Sequence, residues 1–357
     1  MPQARGEVPG MSLQTKTVGL FFLLVLLFIG SMAGRAGAGQ AGEVALDLYW
    51  ISFGGSSNND PVYIMQINQD GKVTKRPKKV LLASQIGTDN GATAIGKNGS
   101  TKLNLWVLGG AEVLYRAVLD KTTLGLLDLK ETGVLASDDD ALQVTQKRSA
   151  NFLAIEVGNG ILTGFSVGSA GLPTGSSWLL APNTPNLNDE SSLSSDGQVV
   201  LTNRQQNGVA DKLYIQILGS TGRPSGSPKL IASGTNIEST DITNILSTGN
   251  RYLLYVMDSA SNKLYLQMVT STGKKVGSPI LLNTPPGRDQ DDQTVAVDPL
   301  GRFVLLTFNG KNFGCGGHDI VAYQALDSTG HKIGSLKLIA KCGLVADDIM
   351  NLDILKE

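Results

Sequence analysis

The chain has 357 residues, with 30 lysines and arginines against 31 aspartates and glutamates, and its formal net charge is −1. Hydrophobic residues make up 41% of the chain, which is enough for a large core and excludes general disorder. The chain has no basic excess to neutralise phosphates, so a nucleic-acid partner is excluded. Two histidines and two cysteines limit metal and nucleophile chemistry.

The first 38 residues are typical of a secretory signal. Arg5 and Lys16 precede an apolar run over residues 18–29, and small residues follow up to Ala38. The apolar run is shorter than the roughly 20 residues of a membrane span. We therefore expect a signal peptide over residues 1–38, with an uncleaved membrane anchor as the alternative. The mature chain would be secreted, or would lie in the periplasm or cell envelope.

A segment of about fifty residues recurs through the rest of the chain, which is typical of a repeat architecture. Its six copies start at Val62, Leu114, Leu162, Leu213, Leu264 and Val321. Each copy alternates apolar and polar residues, turns at a glycine and ends in a second short strand. A second hairpin pattern lies between copies. Four antiparallel strands in each period predict the blade of a β-propeller.

The turn inside each copy depends on glycine, because glycine adopts positive φ without steric cost. The turn glycines are Gly71, Gly171, Gly222, Gly273 and Gly330. The second copy has Thr123 at this place, so we expect a different turn there.

The two ends of the repeat region predict a closed ring. The sequence from Asp347 resembles the innermost strand near Asp241, and the sequence from Val44 resembles a second strand. A C-terminal strand would therefore complete an N-terminal blade and remove an exposed sheet edge. We predict an all-β fold in which residues 44–357 form a single six-bladed β-propeller of four-stranded antiparallel blades.

The repeat resembles one found in large secreted bacterial proteins. The resemblance lies in the Leu-Tyr-x-Gln strand from Leu264, the Ser-Thr-Gly turn, and the Gly-x-Phe-Val-Leu strand that begins at Gly301. It covers nearly all of residues 44–357 and implies propeller blades in an exported protein. The tryptophan that ends the last of these strands in the family is missing from this chain, and Tyr255 and Phe308 lie near its place. The resemblance implies no catalytic residue.

Acidic residues gather just before each predicted innermost strand. The candidate ligand-binding residues, one for each blade, are Asp89, Asp139, Asp189, Asp241, Asp291 and Asp348. In a propeller these loops converge at one end of the channel, where the carboxylates would produce a negative field. This field would attract a cation, a basic peptide or an amino sugar, and the same oxygens suit calcium as a cofactor. Alternatively, the aspartates cap tight turns by accepting backbone N–H groups.

The two cysteines belong to the last repeat. Cys315 lies in a lengthened loop and Cys342 follows the final strand of that repeat. In an exported protein such a pair predicts a disulfide, which would close about 27 residues and contribute about 3 kcal/mol. The alternative is a thiol–imidazole pair or metal site of Cys315 with His318.

These patterns favour an exported, non-enzymatic module that binds an extracellular or envelope protein, a peptide or a glycan. A hydrolase or lyase acting on polysaccharide or peptide is the alternative. Asp139 with Asp189, or Asp291 with Asp348, would then serve as acid and base. No histidine, lysine or arginine recurs beside these acids, which argues against catalysis. A structural subunit of the cell envelope is a further alternative.

Overall fold

The computed structural model describes most of the chain after residue 45. The described residues are 46–55, 61–87, 92–135, 142–144, 152–157, 161–180, 191–206, 209–234, 237–257, 263–283, 294–315, 318–340 and 349–357. They form six four-stranded antiparallel sheets, and each sheet is one blade of a β-propeller. The predicted fold is confirmed.

Blades 1 to 3 each place four strands side by side, from the innermost strand outwards. Blade 1 consists of β24 (Ile349–Lys356), β1 (Leu48–Gly55), β2 (Val62–Asn68) and β3 (Val73–Leu81). Blade 2 consists of β4 (Thr93–Asn98), β5 (Lys102–Gly109), β6 (Val113–Asp120) and β7 (Leu126–Leu135). Blade 3 consists of β8 (Leu142–Val144), β9 (Phe152–Val157), β10 (Ile161–Val167) and β11 (Pro173–Leu179).

Blades 4 to 6 repeat this order. Blade 4 consists of β12 (Ser191–Leu193), β13 (Val199–Gln206), β14 (Val209–Ile217) and β15 (Lys229–Gly234). Blade 5 consists of β16 (Ile237–Ile242), β17 (Asn250–Met257), β18 (Lys263–Thr270) and β19 (Lys275–Asn283). Blade 6 consists of β20 (Val295–Val297), β21 (Phe303–Asn309), β22 (Asp319–Leu326) and β23 (Lys332–Ala340).

Helical structure in the described residues is confined to short turns between strands. These are α1 (Ala83–Ile86) and two 3₁₀ turns, Gly110–Glu112 and Gly310–Phe313. Across the described part of the chain, every helix is too short to cross a bilayer.

The ring closes as the sequence predicts, because the last strand pairs with the first. Strand β24 runs antiparallel to β1, with Tyr49 opposite Lys356 and Phe53 opposite Leu352. β1 then pairs with β2 on its other side. Blade 1 therefore joins the two ends of the described chain, and β1 is left without an open edge.

The hydrophobic core is divided into six clusters, one for each interface between neighbouring blades. Inner strands are buried on both faces, as in β20, where all three residues are buried. Outer strands such as β11 expose most of their residues. Each blade therefore buries its apolar faces only against its neighbours, and a closed ring is required to cover all of them.

The turn glycines explain the spacing of the repeat. Gly71, Gly171, Gly222, Gly273 and Gly330 all have φ between 75° and 84°. In the second copy Leu124 takes the positive φ, at 52°, and Asp120 accepts the N–H groups of Thr122 and Thr123. The different turn expected from Thr123 is confirmed.

Candidate functional site

Aspartates join neighbouring blades near the channel. Among the described residues, four interfaces contain an aspartate of one blade that accepts a backbone N–H group from the innermost strand of the next blade. The pairs are Asp211 with Ile237 at 3.0 Å, Asp241 with Val297 at 2.6 Å, Asp319 with Ile349 at 2.9 Å and Asp353 with Ile95 at 2.7 Å. Because a carboxylate bonded to an N–H group makes a strong hydrogen bond, these contacts hold the blades in register.

Of the six candidate ligand-binding aspartates, the structure describes Asp241. It lies inside β16 instead of the preceding loop, because the strand already begins at Ile237, whose N–H group binds Asp211. Its side chain accepts backbone N–H groups from Val297, across the interface to blade 6, and from the adjacent Ile242, and not as the cap of a tight turn. The other five candidates lie outside the described residues: Asp89, Asp139, Asp189, Asp291 and Asp348.

Asp241 has a counterpart that the sequence reasoning missed. Asp353 in β24 makes two equivalent contacts. Each of the two aspartates accepts one N–H group from the next blade and one from the isoleucine that follows it in the chain, Ile242 or Ile354. The repeated Asp-Ile pair is the signal that would have identified Asp353. Both side chains are half-buried on innermost strands.

Burial changes the acidity of this pair. It raises the pKa of Asp241 to about 7, against the lowering effect of two backbone N–H groups, and the charge of Asp353 adds to the rise. Burial likewise raises the pKa of Asp353 to about 6. Both groups are therefore partly protonated near neutral pH.

These shifts predict a pH-dependent stability. The folded-state pKa values lie above the ordinary value of 3.8, so the folded protein holds more protons than the unfolded chain between about pH 4 and pH 7. The contribution of these groups to stability is complete below pH 4 and is lost as the pH rises through 7. We expect the Tm to fall by about 2 to 5 °C between pH 5 and pH 8 in thermal melts.

In the Asp241→Asn variant the Tm should depend less steeply on pH than in the wild type, because asparagine does not titrate. This holds even if the substitution itself changes the Tm. Asp70→Asn is the control, since Asp70 is exposed in a turn. An equal slope in Asp241→Asn and wild type would show that Asp241 is ionised throughout this range.

A polar cavity of about 400 Å³ lies at one end of the channel. This end, termed the turn face, carries the turns between first and second strands and between third and fourth strands, such as residues 244–249 and 327–331. The cavity is lined by residues of blades 1, 2, 4, 5 and 6, including Lys97, Asp196, Asn244, Lys356 and Glu357. Its volume falls in the range of small-molecule sites.

The carboxylates in this lining already have cationic partners. Asp196 pairs with Arg251 at 2.9 Å, and Glu357 pairs with Lys121 at 3.0 Å. Lys356 pairs with Asp47 at 3.0 Å. Lys97 is exposed, and within the described ranges it forms no ion pair. Its ammonium group is therefore available to a ligand at the channel mouth.

The wall of this cavity is held rigidly. Asn244 accepts hydrogen bonds from the backbone N–H group of Asp196 at 2.7 Å and from the hydroxyl of Ser195 at 3.0 Å. Arg251 is fully buried and donates to Asp196 and to the carbonyl of Thr243. Blades 4 and 5 are thereby fixed relative to each other at the channel mouth.

The predicted disulfide and calcium sites lie partly beyond what the structure describes. Cys315 is buried beside the last 3₁₀ turn, while Cys342 lies outside the described residues, so their disulfide stays a prediction. Among the side chains that the structure describes, no three His, Cys, Asp or Glu residues are grouped to hold a metal ion. The loop carboxylates considered for calcium are mostly outside this part of the chain.

Comparison with known proteins supports the fold. No protein-family model matches the chain, and no curated protein matches it. Among solved structures, TolB from Acinetobacter baumannii is 12% identical, with a TM-score of 0.55 over 96% of this chain and 74% of that one. AofleA from Arthrobotrys oligospora is 9% identical, with a TM-score of 0.54 over 88% and 90%. A chain of a nidogen/laminin complex is 6% identical, with a TM-score of 0.53 over 86% and 98%. At these identities the chain shares the propeller fold with proteins of different kinds.

Proposed function

We propose that this protein is an exported, non-enzymatic binding module. The observation that carries the proposal is the polar cavity at the turn face, which five blades build together. A site assembled from several rigid blades is preorganised, so little free energy is lost in ordering it when a ligand binds. One of the similar propellers was crystallised in a protein complex, the nidogen/laminin complex, which is consistent with a binding role.

The proposed ligand is a peptide or glycan, free or on an extracellular or envelope protein. At the turn face, Lys97 would bind a carboxylate or hydroxyl group of this ligand, because both nearby carboxylates already have partners. At the opposite end, the remaining loop carboxylates are proposed to attract cationic groups or calcium: Asp89, Asp139, Asp189, Asp291 and Asp348. The proposed Cys315–Cys342 disulfide would hold a loop at that end.

The test is a glycan and peptide array probed with the mature protein, followed by assays for turnover of every ligand that binds. We expect saturable binding without turnover. Turnover would support the hydrolase or lyase alternative, and a lack of binding would favour a structural envelope subunit.

Variants then assign the binding face. Lys97→Ala should weaken binding of an anionic or hydroxylated ligand by about 3- to 10-fold, the usual effect of losing one hydrogen bond to a charged group. Lys274→Ala is the matched control, because Lys274 is an exposed turn lysine outside the cavity. If binding is lost only in the variant that combines Asp139→Asn, Asp189→Asn and Asp291→Asn, the ligand binds at the end opposite the turn face.

A further inference from the structure

The interface between blades 5 and 6 differs from the other five at the turn face. In those five, a side chain donates a hydrogen bond to the turn that joins the third and fourth strands of the next blade. The donors and acceptors are Lys78 to Thr123 O, Trp106 to Gly171 O, Trp178 to Gly222 O, Lys229 to Thr272 O and Tyr323 to Gln69 O. Among the described residues, no side chain of blade 5 makes this contact with blade 6.

The sequence explains the missing contact. Pro-Lys precedes the apolar end of the outermost strand in blades 1 and 4, where Lys78 and Lys229 are the donors. In blade 5 the same place is Pro279-Ile280. Isoleucine has no donor, so the turn at residues 327–331 is left without a side-chain partner from blade 5.

A cavity of about 290 Å³ lies at this interface. It is bounded by residues 246–248 of blade 5 and by residues 300–302 and 326–328 of blade 6. A single water molecule occupies about 30 Å³ in the liquid, so the cavity can hold a small organic molecule. It is separate from the cavity at the channel mouth, with which it shares Leu300.

Tyr252 lines this cavity and carries a buried polar group without a partner. The side chain is 1% exposed, and its buried hydroxyl has no hydrogen-bond partner. The ring is held by blade 6, since a Cβ at Gly301 would lie 2.9 Å from Cδ2 and a Cβ at Gly330 would lie 3.6 Å from Cζ. Burial, followed by the charge of Asp327, raises the pKa of Tyr252, so its hydroxyl stays protonated and can donate.

Arg302 brings a second unpartnered group. Its Nε donates to Asp298 at 3.0 Å and its Nη1 donates to Asp47 at 2.8 Å. Its Nη2 is buried without a partner. A buried donor without a partner lowers stability, and a ligand with an acceptor would remove this cost.

The charges of the lining select the class of ligand. The carboxylate of Asp327 opposes an anion. The charge of Arg302 is already compensated by Asp298 and Asp47, but an ammonium ion has no acceptor and would leave the buried Tyr252 hydroxyl unpaired. Leu246, Leu300 and Leu326 supply apolar contact.

We propose that the cavity between blades 5 and 6 binds a small, neutral, amphipathic ligand, whose carbonyl accepts from the Tyr252 hydroxyl and whose N–H or O–H group donates to Oδ2 of Asp327. The other carboxylate oxygen, Oδ1, already accepts from Thr329 and His331. A primary amide with a short apolar chain has this chemistry.

The test compares three probes with the same branched apolar body, namely isobutyramide, isobutylammonium and isobutyrate, by ligand-observed NMR titration of the intact protein. We expect isobutyramide to bind saturably and more tightly than both charged probes. Tyr252→Phe should weaken amide binding by roughly 3- to 10-fold, since it removes one hydrogen bond.

Tyr49→Phe is the matched control. The Tyr49 hydroxyl is equally buried and also lacks a partner, but Tyr49 does not line the cavity. The Tyr49→Phe variant should therefore bind isobutyramide with the same affinity as the wild type. Either variant loses a hydroxyl without a partner, so both should fold, and a thermal melt checks this. The proposal is overturned by absence of amide binding, by tighter binding of a charged probe, or by equal affinity in Tyr252→Phe and wild type.

Discussion

Removal of residues 349–357 should abolish cooperative folding of the propeller. The deleted strand β24 supplies four buried aliphatic side chains, Ile349, Leu352, Ile354 and Leu355. At about 1.5–3 kcal/mol for each, their burial contributes roughly 6–12 kcal/mol, which is comparable to the whole stability of a typical domain. The truncated chain would also expose the edge of β1, which invites aggregation.

Thermal melts and size-exclusion chromatography measure this effect, and a peptide of residues 349–357 provides the rescue. Because β24 pairs with β1 through backbone hydrogen bonds, the peptide should restore a cooperative transition to the truncated chain. Lys356→Gln in the full chain is the control, and it should cost less than about 1 kcal/mol, as is usual for a pair that solvent reaches. A truncated chain that melts cooperatively near the wild-type temperature would show that closure by β24 is dispensable.

Asp196→Asn should destabilise the protein by about 3–5 kcal/mol. The change leaves Arg251 fully buried with no ionised partner, and arginine cannot lose its proton to escape the cost. Arg251→Met should cost less, because Asp196 is 20% exposed and water can solvate its charge. The double variant should therefore be more stable than Asp196→Asn alone.

Denaturant unfolding of the two single variants and the double variant gives the coupling free energy between the residues. Lys130→Met is the control, since Lys130 and Asp128 form an exposed pair at 4.0 Å, and its effect should lie within about 1 kcal/mol. Additive costs for Asp196→Asn and Arg251→Met would mean that the buried ion pair does not couple blades 4 and 5.

The choice of which carboxylates bind a ligand depends on contacts that the sequence does not display. Asp241 belongs to the acidic pattern of the repeat, yet its carboxylate accepts the N–H groups of Val297 and Ile242. Asp353, outside that pattern, makes the equivalent contacts with the N–H groups of Ile95 and Ile354. Both aspartates make these contacts because the next blade lies within hydrogen-bond distance. The sequence of a single repeat does not specify that distance.

The blade, the number of blades and the closure of the ring could all be predicted from the amino-acid sequence. Alternating apolar residues, glycines at positive φ and a fifty-residue period are local properties, and each acts within one repeat. The positions of the cavities, and the polar groups that face them, became known only from the folded ring. The Tyr252 hydroxyl and the Lys97 ammonium acquire their surroundings from residues of neighbouring blades that are distant in sequence. The packing of neighbouring blades therefore determines which polar groups line each cavity, because each blade contributes only part of the lining.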